Sequence, residues 1–286
     1  LRDDVAVKKW FILNKPAIVV IAAAKVGGIY ANSQYPVDFL FDNLKIQNNL
    51  INNSFLSQVK KLLFLGSSCI YPKYATQPIV EEELLNGPLE KTNEPYALAK
   101  ICGIKLCESL RKQYDFDAIS LMPTNLYGPG DNYHPNNSHV LPAFIKKFSE
   151  ASITNDKKVI CWGSGKPMRE FLHVDDLANA CIFALENWSP SDNEAPCDIN
   201  GEKLNYLNVG SGKDISIREL ANKIAKACDF KGKIIWDKSK PDGTPKKLLD
   251  SSRINELGWS AEIELEKGIQ STLDIFKKIY KNNLEF

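Results

Sequence analysis

Lys61-Leu62-Leu63-Phe64-Leu65-Gly66-Ser67-Ser68-Cys69-Ile70-Tyr71-Pro72 decides the reading of this chain, together with Glu94-Pro95-Tyr96-Ala97-Leu98-Ala99-Lys100 beyond it. Residues 61–65 read as a buried parallel strand. A small, hydroxyl-bearing loop leaves that strand. Pro95 suits the first turn of a helix predicted over 94–114, which sets Tyr96 and Lys100 on one face, one turn apart. Working outward, Ala17–Ala23 is another continuous apolar run, expected to form a strand buried on both faces. Residues 3–14 read as a helix capped by Asp3 or Asp4, 36–53 as a helix with Pro36 in its first turn, and Ala118–Met122 as a third strand. Repeated strand–helix units predict an α/β fold, a doubly wound, Rossmann-like parallel sheet covered by helices.

After residue 128 the texture changes. A polar loop (129–138) precedes a helix (140–151) and strands at 158–162 and 169–173. Asp175 is expected to cap a helix running to about 187. Residues 188–203 have the composition of a surface insertion. A strand (204–209), a helix (216–229), a strand (232–236), a Pro-Asp-Gly turn at 241–243 and a helix (265–282) follow. The expected organisation is a Rossmann-like domain over 1–128, its sheet completed by parts of 169–187. A smaller α/β lobe over 129–286 would hold the substrate.

Composition narrows the class. Apolar residues make up 44% and charged residues 25% of the 286, as in an ordinary globular protein. Basic and acidic residues number 36 and 35, which argues against nucleic acid as a partner. Seven Cys, odd in number and without a C-x-x-C, read as reduced thiols in a cytoplasmic protein. His134, His139 and His173 show no metal-ligand spacing, and no apolar run is long enough to predict a membrane span.

The spacing Tyr96-x-x-x-Lys100 alone proves little in a chain this rich in Lys, where solvated helical pairs are common. Its context, after a strand and a Ser-rich loop, gives it meaning. The Lys100 ammonium is expected to lower the Tyr96 phenol pKa by charge proximity. The phenol can then pass a proton to a carbonyl oxygen as hydride reaches the carbon. Ser67, at the strand end, would supply a second hydrogen bond to that oxygen.

These residues resemble the extended short-chain dehydrogenase/reductase superfamily. Within it they are similar to the GDP-4-keto-6-deoxy-mannose 3,5-epimerase/4-reductases. The likeness is carried by Ala22–Ile29, Gly66–Pro72, Asn93–Ala97, Met122–Pro129, Asn137–Val140, Trp162–Gly165, Met168–Asp176 and Lys240–Pro245. It implies Ser67, Tyr96 and Lys100 as the reductase triad, with Cys69 and His139 as the acid/base pair for epimerisation. It implies NADPH contacts from Leu65, Gly66, Ser67, Ser68, Lys100, Pro123, Thr124, Asn125, Leu126 and His139. For the GDP-sugar it implies Lys147, Trp162, Arg169 and Asp242, with Lys247 a further candidate. A guanidinium at Arg169 suits a diphosphate, whereas Lys147 stands where some relatives carry Arg and lacks the fork. A homodimer built on the Tyr/Lys helix is implied too. The competing expectations are a GDP-colitose-type enzyme or a non-catalytic fragment.

The chain opens at Leu1, and no G-x-x-G-x-x-G turn follows a strand. A doubly wound dinucleotide fold ordinarily begins with a strand, such a turn, and a helix whose N-terminus holds pyrophosphate. The first strand and the Gly-rich loop are therefore expected to be absent. Weak NADPH binding and marginal stability would follow.

Overall fold

The computed structural model describes residues 1–135, 137–240 and 242–284. Asn136, in the expected polar loop, and Pro241, the first residue of the expected 241–243 turn, lie outside the described residues. The first half runs α1 (Asp4–Asn14), β1 (Ile18–Ile21), α2 (Ile29–Gln34), α3 (Pro36–Leu56), β2 (Lys61–Leu65), α4 (Glu94–Tyr114), β3 (Ala118–Pro123) and β4 (Asn125–Tyr127). Then come α5 (Val140–Ile153), β5 (Lys158–Trp162), β6 (Met168–His173), α6 (Val174–Asn187), β7 (Tyr206–Val209) and β8 (Asp214–Ser216). The last elements are α7 (Ile217–Ala227), β9 (Lys233–Asp237), β10 (Lys246–Lys247), α8 (Ser252–Glu256) and α9 (Leu265–Leu284).

Local chemistry explains several of these ends. Asp3 caps α1 by accepting from the Ala6 amide. Ser216 and Glu219 form a reciprocal capping box at the start of α7. At α6 the cap is His173, whose ring nitrogen accepts from the Asp175 amide, so the expected Asp175 cap lies two residues too late.

Strands β1, β2, β3 and β7 form one parallel sheet in that order. Alternate side chains serve opposite faces, as the pleat requires. Leu62 and Phe64 of β2 pack with Ile51, Ile101 and Ile104 from α3 and α4. Leu63, Ile119 and Leu121 pack with Leu177, Ala180 and Ala184 of α6 on the other side. Each such large side chain contributes about 1.5–3 kcal/mol on burial. The two long helices lie close against the sheet because Gly103 has no Cβ, which would overlap the Phe64 ring. Gln47 of α3 then donates to the Ala99 carbonyl of α4 at 2.6 Å.

Two expectations are corrected here. β1 is not buried on both faces, because Ile18 is 53% and Val20 44% exposed. Among the described residues it pairs on one side only, with β2. The strand completing the far side of the sheet is β7. Residues 169–187 instead supply β6, which belongs to another sheet, and α6, which covers the first sheet.

In that second sheet β6 pairs in parallel with β4 and β10 and antiparallel with β8. Strands β5 and β9 make a separate parallel pair. A core of Phe144, Phe148, Leu220, Ile224, Ile269 and Leu273 joins α5, α7 and α9. Glu170, with no exposed surface, ties this region together. Its carboxylate accepts from the Gly212 amide at 2.8 Å and the Leu249 amide at 3.0 Å. The 188–203 segment is anchored rather than loose: Trp188 and Ala195 are buried, and Arg111 donates to Ser191. Among the described residues no helix is long and apolar enough to cross a membrane.

Candidate active site

Ligands of open parallel sheets bind beyond the carboxyl ends of the strands. β2 and β3 end side by side, Leu65 opposite Leu121, and the Gly66 amide continues the ladder to the Leu121 carbonyl at 2.9 Å. The chain then turns sharply. Ser67 caps a single turn over Ser68–Ile70 by accepting from the Cys69 amide at 3.2 Å. That turn presents the Ser67 hydroxyl and the Cys69 thiol from one short loop. A Cβ on Gly66 would overlap the Met122 sulfur, so glycine is what lets the loop leave so close to β3.

α4 brings the remaining members. Lys100 is 3% exposed and donates to the Leu65 carbonyl at 2.7 Å, with its ammonium 4.7 Å from the Phe64 ring centroid. Burial pushes its pKa down to about 8. Tyr96 packs edge-on against Phe39. Its phenol shows the opposite of the expected shift. Burial, and next the neighbouring Cys69, push it up, and a hydrogen bond with Ser67 only partly offsets them. Burial outweighs any help from Lys100, whose ammonium sits 6.0 Å from the Tyr96 ring centroid and donates to Leu65.

Cys69 moves the other way. Burial alone would raise its thiol, but the Lys247 ammonium, a Ser67 hydrogen bond and the Arg169 guanidinium outweigh it and bring the thiol below its ordinary value. Lys247 Nζ lies 3.4 Å from Cys69 Sγ. His139 occupies the N-cap of α5 but spends no side-chain bond on the cap, leaving its imidazole available. Burial among the cleft walls, and secondarily Lys247, hold that imidazole below its usual pKa although one edge meets solvent.

The other sequence candidates divide. Pro123, Thr124, Asn125 and Leu126 sit at the β3 end, but the Thr124 hydroxyl and Asn125 amide are already committed to the Glu170 carbonyl. Trp162 is half exposed at the end of β5, with the ammoniums of Lys147 and Lys240 each 5.5 Å from its ring. Arg169 lies in register with Lys247 across β6 and β10. Asp242 is engaged elsewhere: both carboxylate oxygens accept from Ser164, at 2.7 Å from the amide and 2.8 Å from the hydroxyl. Its task in the structure is to latch two loops. Lys240 opens one of the stretches that carry the likeness and Lys247 was a substrate candidate, but the sequence did not signal the approach of Lys240 to Trp162 or of Lys247 to Cys69. Among the described residues no cluster of His, Cys, Asp or Glu could hold a metal ion.

A parallel sheet with a Ser-Tyr-Lys group at its carboxyl edge defines an oxidoreductase-type dinucleotide fold, and the chain belongs to the NAD dependent epimerase/dehydratase family, whose signature matches residues 1–200. Within that family it is similar to proteins named GDP-L-fucose synthase. Putative GDP-L-fucose synthase 2 of Arabidopsis thaliana is 54% identical over 96% of this chain and 80% of its own length. The Escherichia coli K12 GDP-L-fucose synthase is 54% identical over 96% of this chain and 85% of its own. GDP-L-colitose synthase of Yersinia pseudotuberculosis is more distant, at 41% over 94% and 84%. Among solved structures, a GDP-6-OMe-4-keto-L-xylo-heptose reductase from C. jejuni superposes with a TM-score of 0.90 at 36% identity, over 97% of this chain and 87% of that one. A Naegleria fowleri gdp-l-fucose synthetase bound to NADP gives 0.83 at 28%, over 98% and 83%.

Proposed function

We propose that this chain converts GDP-4-keto-6-deoxy-D-mannose to GDP-L-fucose, inverting C3 and C5 and then reducing the C4 ketone with NADPH. The observation that carries the reading is one pair of opposed shifts in one pocket. Cys69 is pushed toward its thiolate while Tyr96 is pushed toward its neutral phenol, and both touch Ser67. Two groups driven apart in this way are a base and an acid for the same carbonyl. The names of the relatives at 54% identity support the substrate assignment.

The residues at the β2 and β3 ends fit the nicotinamide half of NADPH: Lys100 stands beside Leu65, and the Ser67–Ile70 turn opens the space above the strands. When bound, the cofactor supplies hydride to C4. Everything else falls to the protein. Tyr96 and Ser67 hydrogen-bond the C4 oxygen. Cys69 takes the proton from the carbon beside the ketone; the C–H electron pair moves onto that oxygen as an enolate. His139 returns a proton to the opposite face as the enolate collapses, which inverts the centre. At reduction the Tyr96 phenol gives its proton to the C4 oxygen. Arg169, Lys147 and Trp162 are assigned to the GDP moiety, the two cations for phosphate and the indole for stacking. Residues 1–128 are assigned mainly to cofactor and 129–286 mainly to substrate. We also assign cytoplasmic action and a homodimer through the outer faces of α3 and α4, where Val37, Phe41 and Leu98 are exposed.

The test is turnover of the keto-sugar with NADPH in heavy water, read by NMR. Deuterium is expected at C3 and C5 of the product. Cys69→Ser and His139→Asn are expected to lose that label while still oxidising NADPH. Reduction without label in the wild-type chain would make it a plain ketoreductase.

A further inference from the structure

Lys247 has no part in hydride transfer, yet its ammonium reaches into the catalytic loop. We propose that Lys247 is a positioning residue that holds Cys69 as a thiolate before substrate arrives; this rests on the reading of Cys69 as the epimerisation base.

The geometry is specific. Nζ and Sγ are 3.4 Å apart, within hydrogen-bonding reach of sulfur. The backbone beneath Lys247 is clamped from two sides. On one side Lys247 pairs with Arg169 of β6, and Leu249 donates to the fully buried Glu170. On the other side Leu248 donates to Gln77 Oε1 at 2.9 Å, and its carbonyl accepts from Ile79 at 2.8 Å. These bonds fix the backbone from which the Lys247 side chain reaches the loop.

The charges around the pair favour the assignment. Arg169 adds a second cation toward the thiol, and the Ser67 hydroxyl adds a donor. Tyr96 faces the thiol as a neutral phenol, and His139 faces Lys247. The two nearby carboxylates are committed elsewhere, Glu90 to Thr92 and Lys73, and Asp242 to Ser164. The open space among Ser68, Cys69, Glu90, Asn93, Thr244 and Lys247 is a cavity of about 10 Å³. That is about one water's worth of room, and at 3.4 Å the ammonium and the sulfur are already in contact. Among the described residues no carboxylate ion-pairs with Lys247, and the group its ammonium meets is the Cys69 sulfur. A cation beside a buried thiol is the usual way such a group becomes reactive. The same ammonium also disfavours a second charge on His139.

The test needs no substrate. Iodoacetamide labelling of Cys69 is followed against pH by peptide mass spectrometry in wild type, Lys247→Met and Lys247→Arg, with an added cysteine-containing peptide as reference. In wild type the Cys69 rate is expected to inflect below the ordinary thiol value of about 8.5. Lys247→Met is expected to move that inflection up by at least one pH unit, a tenfold slower reaction at pH 7, and Lys247→Arg to restore most of it. A wild-type inflection at or above the ordinary value overturns the proposal, as does an unmoved inflection in folded Lys247→Met. Should Lys247→Met not melt cooperatively, the wild-type inflection and Lys247→Arg decide. A Lys247-dependent thiolate with no deuterium at C3 or C5 would sink the catalytic reading and leave the ion pair standing.

Discussion

Replacing Arg253 by Met strips the counter-charge from a carboxylate that is 1% exposed. Arg253 pairs through Nη1 with Glu81 and, at 2.9 Å, with Glu82, and through Nη2 with Glu82 again. Glu81 in turn accepts from the Asn208 amide at 2.9 Å, and Asn208 Oδ1 accepts from the Tyr71 hydroxyl at 2.6 Å. The network therefore joins α8, β7 and the end of the cysteine loop. Breaking one side of a buried pair costs about 3–5 kcal/mol. Glu81 relieves part of this by taking a proton, since burial already pushes its carboxyl up. A raised carboxyl stabilises the fold below its unfolded pKa of about 4.3, and that stability is lost as pH rises through the higher folded value. The deficit of Arg253→Met should thus grow with pH, to about 3 kcal/mol at pH 8 and about 1 kcal/mol at pH 5. Urea unfolding at both pH values measures it, with the melting point falling about 2–4 °C per kcal/mol. Glu81→Gln in the same background should recover most of the loss at pH 8. An equal deficit at pH 5 and pH 8, or none at either, would refute the reasoning.

The remaining predictions concern a buried acid and a glycine. Burial pushes Asp131 up to about 6 from 3.8, and among the described residues its buried Oδ2 has no partner. Its stabilising contribution is therefore present below 3.8 and lost as pH rises through 6. Asp131→Asn should raise stability at pH 8 by about 1–2 kcal/mol after allowance for partial solvent contact. In paired thermal melts that gain should vanish at pH 4. Gly66→Ala puts a methyl against the Met122 sulfur and methyl and Ile104. It should cost about 1–3 kcal/mol and weaken NADPH binding in a fluorescence titration, because the strain falls at the loop mouth; an unchanged affinity would separate the loop from the cofactor.

Legibility in the sequence followed the range of the interactions. The helix read over 94–114 is the helix observed, because Asn93-Glu94-Pro95 marks its start and its apolar face packs with α3 and the first sheet. The strand at 61–65 was equally plain, since apolar side chains go to both faces. α2 escaped because six residues hold too little periodicity. β10 escaped because two adjacent lysines read as a solvated surface until β6 is known to lie beside them. The sense of the Tyr96 shift was misread for a similar reason. Spacing on a helix placed Lys100 correctly, but only the fold reveals how deeply the Tyr96 phenol is buried and that Lys100 donates to the Leu65 carbonyl.

The Lys247–Cys69 contact joins positions 178 residues apart in the chain. At an elongation rate of about 5–20 residues per second, roughly 10–35 s of synthesis separate their emergence from the ribosome. Throughout that interval the nascent loop carries a thiol without its cation, and so a weak nucleophile. The chain thus meets cellular electrophiles and oxidants with its most reactive sulfur still dormant. Reactivity switches on only when the last quarter of the sequence has been made and docked. Lys247 must be made and docked before the thiol meets its cation.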